Sequence, residues 1–281
     1  MKVLITGSAG MLGLDVTDAC VKRDYETFAL PRAELAISDP MDVDEAFSDI
    51  RPDVAINCAA WTDVDGAEEG EAEATRVNGA GAGLVAKAAE AYGAKVIHIS
   101  SDYVFDGRKR SPYVESDPPH AISGYGRSKQ AGEAAVLAAN PRHLIARSSW
   151  LYCARGPNFV ETMLRVAGQQ SEVVVVNDQV GSPTYTRHLA DALVDLIDSE
   201  DYGIHHVAAA GRCSWFEFAQ EIFDQADSEC RVMSGTTEML GRPAHRPAWS
   251  VLGSERDDAF VLPHWRDGLS DYLAERERLD S

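Results

Sequence analysis

A strand-like run, Val3–Thr6, gives way within one residue to Gly7-Ser8-Ala9-Gly10-Met11-Leu12-Gly13. Three glycines at that spacing, behind a strand and ahead of a helix, constrain this chain more than any other feature. A sharp turn, a close approach of backbone to a pyrophosphate and tight helix–strand packing all require residues without a Cβ. The N–H groups that open the helix then face phosphate oxygens. Gly7, Gly10, Met11 and Leu12 are therefore predicted to hold a dinucleotide.

The rest of the chain agrees with that beginning. Val3–Thr6, Thr27–Ala29, Val54–Asn57, Val96–Ser100, Leu144–Arg147 and Val173–Val176 are short apolar runs rich in Val and Ile, as strands buried on both faces should be. Ala-rich stretches with helical spacing, Thr75–Tyr92 and Ser128–Ala139, separate them. Strand–helix alternation predicts an α/β fold with a Rossmann-type, doubly wound parallel sheet. We place that dinucleotide-binding domain at residues 1–176, with some later segments returning to it. Beyond Val176 the pattern loosens: Gly181-Ser182-Pro183 reads as a loop, Thr186–Ile197 as a helix, and Ser214 with Glu217 as a capping box. Residues 177–281 are predicted to form mainly a smaller α/β substrate-binding lobe, with the site in the cleft between the two parts.

Composition excludes several classes of function. With 281 residues and 45% hydrophobic content the chain can bury a full core. A net charge of −19 argues against nucleic acid, whose phosphates need Lys and Arg. Such acidity also suits solubility at high salt. No apolar run approaches the roughly 20 residues that span a bilayer, and the first residues look like a strand rather than a signal peptide. Five scattered cysteines without a CxxC pair fit a reducing, cytoplasmic setting.

The end of the second strand usually selects between the two nicotinamide cofactors. Leu30-Pro31-Arg32 offers no acid for a ribose hydroxyl, and Arg32 suits a 2′-phosphate; NADPH is expected, with NADH possible. Ala60, Trp61 and Thr62 are read as a second cofactor wall. Tyr125 and Lys129 form the chain's single Tyr-x-x-x-Lys, a spacing that puts both side chains on one helix face. A phenol beside an ammonium is expected to titrate lower and to exchange a proton with a carbonyl oxygen. Upstream, the strand end Ser100-Ser101-Asp102 offers Ser101 to orient that carbonyl. Catalytic Tyr125, Lys129 and Ser101 follow, with Tyr125 and Lys129 also touching the cofactor.

The GxxGxxG spacing resembles the short-chain dehydrogenase/reductase superfamily. Four longer strings, NCAAWTDVDGAE (57–68), ISSDYVFDG (99–107), RSSWLY (147–152) and NDQVGSPT (177–184), together with Arg242-Pro243 and Arg246-Pro247, resemble the dTDP-4-dehydrorhamnose reductase family over most of the chain. The resemblance implies reduction of the 4-keto group of dTDP-6-deoxy-L-lyxo-4-hexulose to dTDP-L-rhamnose, with Tyr125 as proton donor. It implies that Ser101, Asp102, Trp150 and Gln179 touch the substrate, and that the chain forms a homodimer. Where relatives carry an acid for adenine this chain has Ala36, so Ile37 is expected to serve through its backbone. Some relatives dimerise around magnesium; Asp15 matches one ligand, but Arg187 stands where an acid is expected, so no metal is carried over. Arg242 and Arg246 are candidate cations for the sugar's diphosphate.

Three alternatives stand beside this reading. A 4,6-dehydratase would place Asp-Glu after the hydroxyl residue, where this chain has Asp102-Tyr103. A nucleotide-sugar epimerase, or a ketoreductase making a different deoxysugar, shares the same framework. A non-catalytic regulatory subunit resembling that of methionine adenosyltransferase shares the SDYVFDG string, but is not expected to carry the strings around Trp150 and Gln179.

Overall fold

A computed structural model describes residues 1–257 and 259–280. Strands β1 (Lys2–Thr6), β2 (Glu26–Leu30), β3 (Val54–Asn57), β4 (Lys95–Ser101), β5 (His143–Ser148) and a last strand, Gly203–His206, make one six-stranded sheet. Its spatial order is Gly203–His206, β5, β4, β3, β1, β2, and every neighbouring pair is parallel. The α/β class and the parallel sheet expected from the sequence are both present.

Strand alternation divides the core into two layers. Val3, Ile5 and Ile56 point to one face, where they pack with helix α1 (Met11–Lys22) and with Leu189 and Leu193 of helix Thr186–Asp195. Leu4 and Ala55 point to the other, against Phe47 of helix α2 (Pro40–Ile50) and Val85 and Ala86 of helix Ala82–Ala91. Covering both faces is what makes these strands uniformly apolar. Strand order reverses between β1 and β3, so the crevice for a ligand opens at their carboxyl ends.

A second core joins Tyr152, Val160, Met163, Phe218, Ile222, Trp265 and Leu269. Helices Phe159–Ala167, Trp215–Gln225 and Trp265–Asp280 build it, with a parallel strand pair, Glu172–Val176 and Arg231–Gly235. The predicted capping box forms: Ser214 accepts from the Glu217 N–H at 3.1 Å, and Glu217 accepts from the Ser214 N–H at 2.7 Å.

The chain crosses the expected boundary at 176 in both directions. Strand Glu172–Val176, which the sequence groups with the large sheet, pairs in the small lobe, while Gly203–His206 and helix Thr186–Asp195 lie with the sheet domain. The reason is visible in burial. Val174 is 49% exposed, so this run is a half-covered strand rather than a doubly buried one, and Gly203–His206 already occupies the edge beside β5. Among the described residues no helix is long and apolar enough to cross a membrane.

Candidate active site

The glycine turn has the geometry its sequence demands. Gly7 adopts φ +65°, and a Cβ there would lie 2.6 Å from the Ala59 backbone; one at Gly13 would lie 2.4 Å from the Gly7 carbonyl. Gly10 caps α1 in an extended conformation with no side-chain acceptor, so the amides of Met11 and Leu12 in the first turn suit an anion. This cradle fits a dinucleotide pyrophosphate. Arg32 is exposed just past the end of β2, next to the turn, where the Ser8 N–H donates to the Leu30 carbonyl at 3.3 Å. Ile37 contributes its side chain to the core, close beneath Gly81.

The loop after β3 forms the opposite wall. Ala60 and Trp61 are partly exposed there, and Thr62 is exposed. Asn78 fixes Trp61: its Oδ1 accepts from the Trp61 N–H at 2.8 Å, and its Nδ2 donates to the Trp61 carbonyl at 3.0 Å and to Ser128 Oγ at 2.9 Å. Asn78 sits in a π-helical turn, Arg76–Gly81, that interrupts the single helix predicted for Thr75–Tyr92.

At the carboxyl end of β4 the predicted catalytic groups converge. Ser101 closes the strand, and its hydroxyl meets the Tyr125 phenol while donating to Asp102 Oδ1 at 3.0 Å. Tyr125 and Lys129 project from helix Gly124–Ala139, whose start is fixed by the Ser123 hydroxyl accepting from the Gly126 N–H at 3.1 Å. Lys129 is buried and its Nζ donates to the Ile99 carbonyl at 2.6 Å. Burial holds this ammonium down at about 8, with Glu133 and Cys58 pulling the other way. The phenol behaves differently from the sequence expectation. Burial pushes it up to about 12, with Ser101 opposing, so Tyr125 is a fully protonated acid at neutral pH. Asp102 is also buried, and burial raises its carboxyl to about 7 against the hydroxyls of Ser250 and Ser101.

The expected substrate residues surround this point. Ser101 pairs in register with Ser148 of β5, and Trp150 follows two residues later. Trp150 holds φ +49°, unusual for a side-chain-bearing residue, and stacks on Trp215 at 3.7 Å with planes 5° apart. A Cβ at Gly181 would fall 2.5 Å from the Trp150 ring, so the loop carrying Gln179 fits closely around that indole. Gln179 is buried and donates to Thr237 Oγ1 at 2.8 Å.

The family model described as the RmlD substrate binding domain matches residues 1–278. The chain belongs to the dTDP-4-dehydrorhamnose reductase family. Membership makes it an NAD(P)H-dependent oxidoreductase. It is 41% identical over 278 residues to a dTDP-4-dehydrorhamnose reductase of Streptomyces griseus, covering 95% of this chain and 91% of the relative. It is 42% identical over 277 residues to the spore coat polysaccharide biosynthesis protein SpsK of Bacillus subtilis, covering 98% of each. A crystal structure of the dTDP-4-dehydrorhamnose reductase of Bacillus anthracis in complex with NADP superposes with a TM-score of 0.95 at 38% identity, covering 98% of this chain and 99% of that one.

Beneath the predicted catalytic groups of this family member lies a network that motif reading missed. Arg147 and Glu133, with side chains 0% and 4% exposed, pair through two bonds of 2.8 and 2.7 Å, and Ser100 donates to the same carboxylate at 2.6 Å. The Phe105 ring lies 5.0 Å from the guanidinium and His206 Nε2 lies 3.4 Å from it. A signal existed: Glu133 is four residues beyond Lys129, on the same helix face. At Asp15, the one residue that resembled a magnesium ligand of some relatives, the chain places its own cations. Arg155 bonds Asp15 at 2.6 Å and Asp18 at 2.8 Å, while Arg187 pairs with Glu275 and lies 3.9 Å from Asp15. These residues do not fit the ion, and among the described residues no group of three His, Cys, Asp or Glu is placed to hold a metal.

Proposed function

We propose that this protein reduces the 4-keto group of dTDP-6-deoxy-L-lyxo-4-hexulose to the hydroxyl of dTDP-L-rhamnose, with Tyr125 as proton donor. The observation that carries the reading is the docking of the helix of Tyr125 and Lys129 on the carboxyl end of β4, where Lys129 donates to the Ile99 carbonyl at 2.6 Å and Ser101 closes the strand, on the sheet edge that also carries the glycine turn. NADPH, when bound, supplies the hydride to C4 of the sugar. Ser101 orients the carbonyl oxygen, and the Tyr125 hydroxyl gives that oxygen its proton as the C–O double bond becomes a single bond. A phenol held protonated suits a donor in this direction. Lys129, poised near neutral by burial, stabilises the phenolate that remains and holds the nicotinamide ribose. Arg32 meets the 2′-phosphate, and the Ile37 backbone meets adenine. Asp102, Trp150 and Gln179 receive the sugar.

Mixing the protein with dTDP-4-keto-6-deoxyglucose, a 3,5-epimerase and NADPH should consume the reduced cofactor, read by its absorbance. Loss of the signal when the epimerase is omitted supports the L-lyxo substrate; an undiminished rate assigns a different stereoisomer. Repeating the assay with NADH tests Arg32.

A further inference from the structure

The small lobe reaches back to the sheet domain through the loop that follows Gly241. Arg246 grips Asp65 with both ends of its guanidinium, at 3.0 and 2.9 Å, and the Ala244 N–H donates to the same carboxylate at 3.2 Å. Arg242 adds one contact at 3.2 Å. Accessibility separates the two arginines: the Arg246 side chain is 14% exposed, Asp65 24%, and Arg242 57%. The Arg246 guanidinium, above all, holds the Asp65 carboxyl down at about 2, so the clasp stays charged at any working pH. Arg246 also lies close to the Tyr103 hydroxyl, and the Tyr103 ring stands edge-on to Tyr125 with centroids 5.7 Å apart. The clasp therefore lies one side chain from the proton donor.

Two guanidinium groups meet a single carboxylate here, in a chain of net charge −19. Arg127, on the same helix as Tyr125, is already spent on Glu71 through two bonds of 2.8 and 2.6 Å. A bidentate, largely buried pair is costly to open, whereas a single exposed contact is worth little. The roles of the two arginines should therefore differ. We infer that Asp65 and Arg246 form a fixed mount across the two lobes, and that Arg242 is the cation that swings from it to a nucleotide-sugar diphosphate. This inference rests on the substrate class proposed above.

The test is binding of dTDP, measured by calorimetry at low and moderate salt, independently of turnover. Arg242→Gln should weaken dTDP about tenfold, the loss of one charge-assisted hydrogen bond, and should flatten the salt dependence. NADPH affinity and the thermal midpoint should not change, because Arg242 is a surface group. Arg242→Lys should keep most of the affinity, since a point charge still meets phosphate. Arg212→Gln serves as control, that guanidinium lying over Trp249 at 5.2 Å. Equal dTDP affinity in wild type and Arg242→Gln overturns the inference, as does a loss in Arg242→Lys as large as in Arg242→Gln. If wild type fails to turn over the proposed sugar while Arg242→Gln still weakens dTDP, the sugar assignment falls and the cation site stands.

Discussion

Lys129 should stabilise the protein when it is removed. The ammonium is 3% exposed and is held at about 8 against an ordinary 10.5, burial being the main cause. At about 1.4 kcal/mol per pH unit, that gap corresponds to a penalty of about 3 kcal/mol at neutral pH. Replacing it by methionine keeps the volume and removes the charge, but forfeits the bond to the Ile99 carbonyl, worth about 1 kcal/mol. The net gain is about 2 kcal/mol, which for a chain of this length raises the thermal midpoint by about 4 °C. The pH dependence has a definite sign. Between about 8 and 10.5 the unfolded lysine holds its proton while the folded one has released it, so wild-type stability rises with pH across that window. The advantage of Lys129→Met is complete below about pH 8 and fades as pH climbs toward 10.5. Thermal melts of both proteins at a series of pH values from 7 to 10 measure this directly. A variant less stable than wild type at pH 7, or a gain that stays constant with pH, would refute the reasoning. Turnover should fall at least about a hundredfold in the same variant, a trade of activity for stability.

Tyr125→Phe should lower kcat by about 10² to 10⁴ with little change in NADPH affinity; near-normal turnover would remove Tyr125 from the proton path. Glu133→Gln strips the charge partner from buried Arg147 and should cost about 3–5 kcal/mol in urea unfolding, a loss below about 1 kcal/mol meaning that Arg147 finds another acceptor. The raised Asp102 carboxyl keeps a proton that the unfolded chain has released, so wild-type stability should fall as pH rises from about 4 to about 7. Asp102→Asn should lose that contribution, and melts that keep the same slope in the variant would contradict it.

The candidate site was legible in its placement because helix periodicity carries it: Tyr125 and Lys129 are four residues apart, and Ser101 ends a strand that any reading of Val96–Ser100 finds. The sense of the pKa shifts was not. Spacing tells which groups are close, while the rise at Tyr125 and the fall at Lys129 come from loss of water, which no linear pattern reports. The strands of the large sheet were visible as apolar runs, yet Glu172–Val176 has the same composition and pairs elsewhere, since composition does not encode a partner. The Asp65–Arg246 clasp joins residues far apart in the chain and leaves no local trace. Trp215, inside the Ser214–Glu217 capping box, carried no signal of its own, although it stacks on Trp150.

The π-helical turn at Arg76–Gly81 makes the aim of Asn78 depend on residue count. A turn of this kind carries one residue more than the α-helix around it. Excising a single alanine from it would leave a perfectly good helix of ordinary pitch. The segments on either side would stay in phase, because five α-helical residues turn through about the same angle, roughly 500°, as six residues of the wider turn. Val85 and Ala86 would keep facing the interior, while Asn78, inside the turn, would shift and carry its carboxamide away from Trp61. The hold on the Trp61 backbone thus depends on a surplus residue, and a shortened chain would fold there without it.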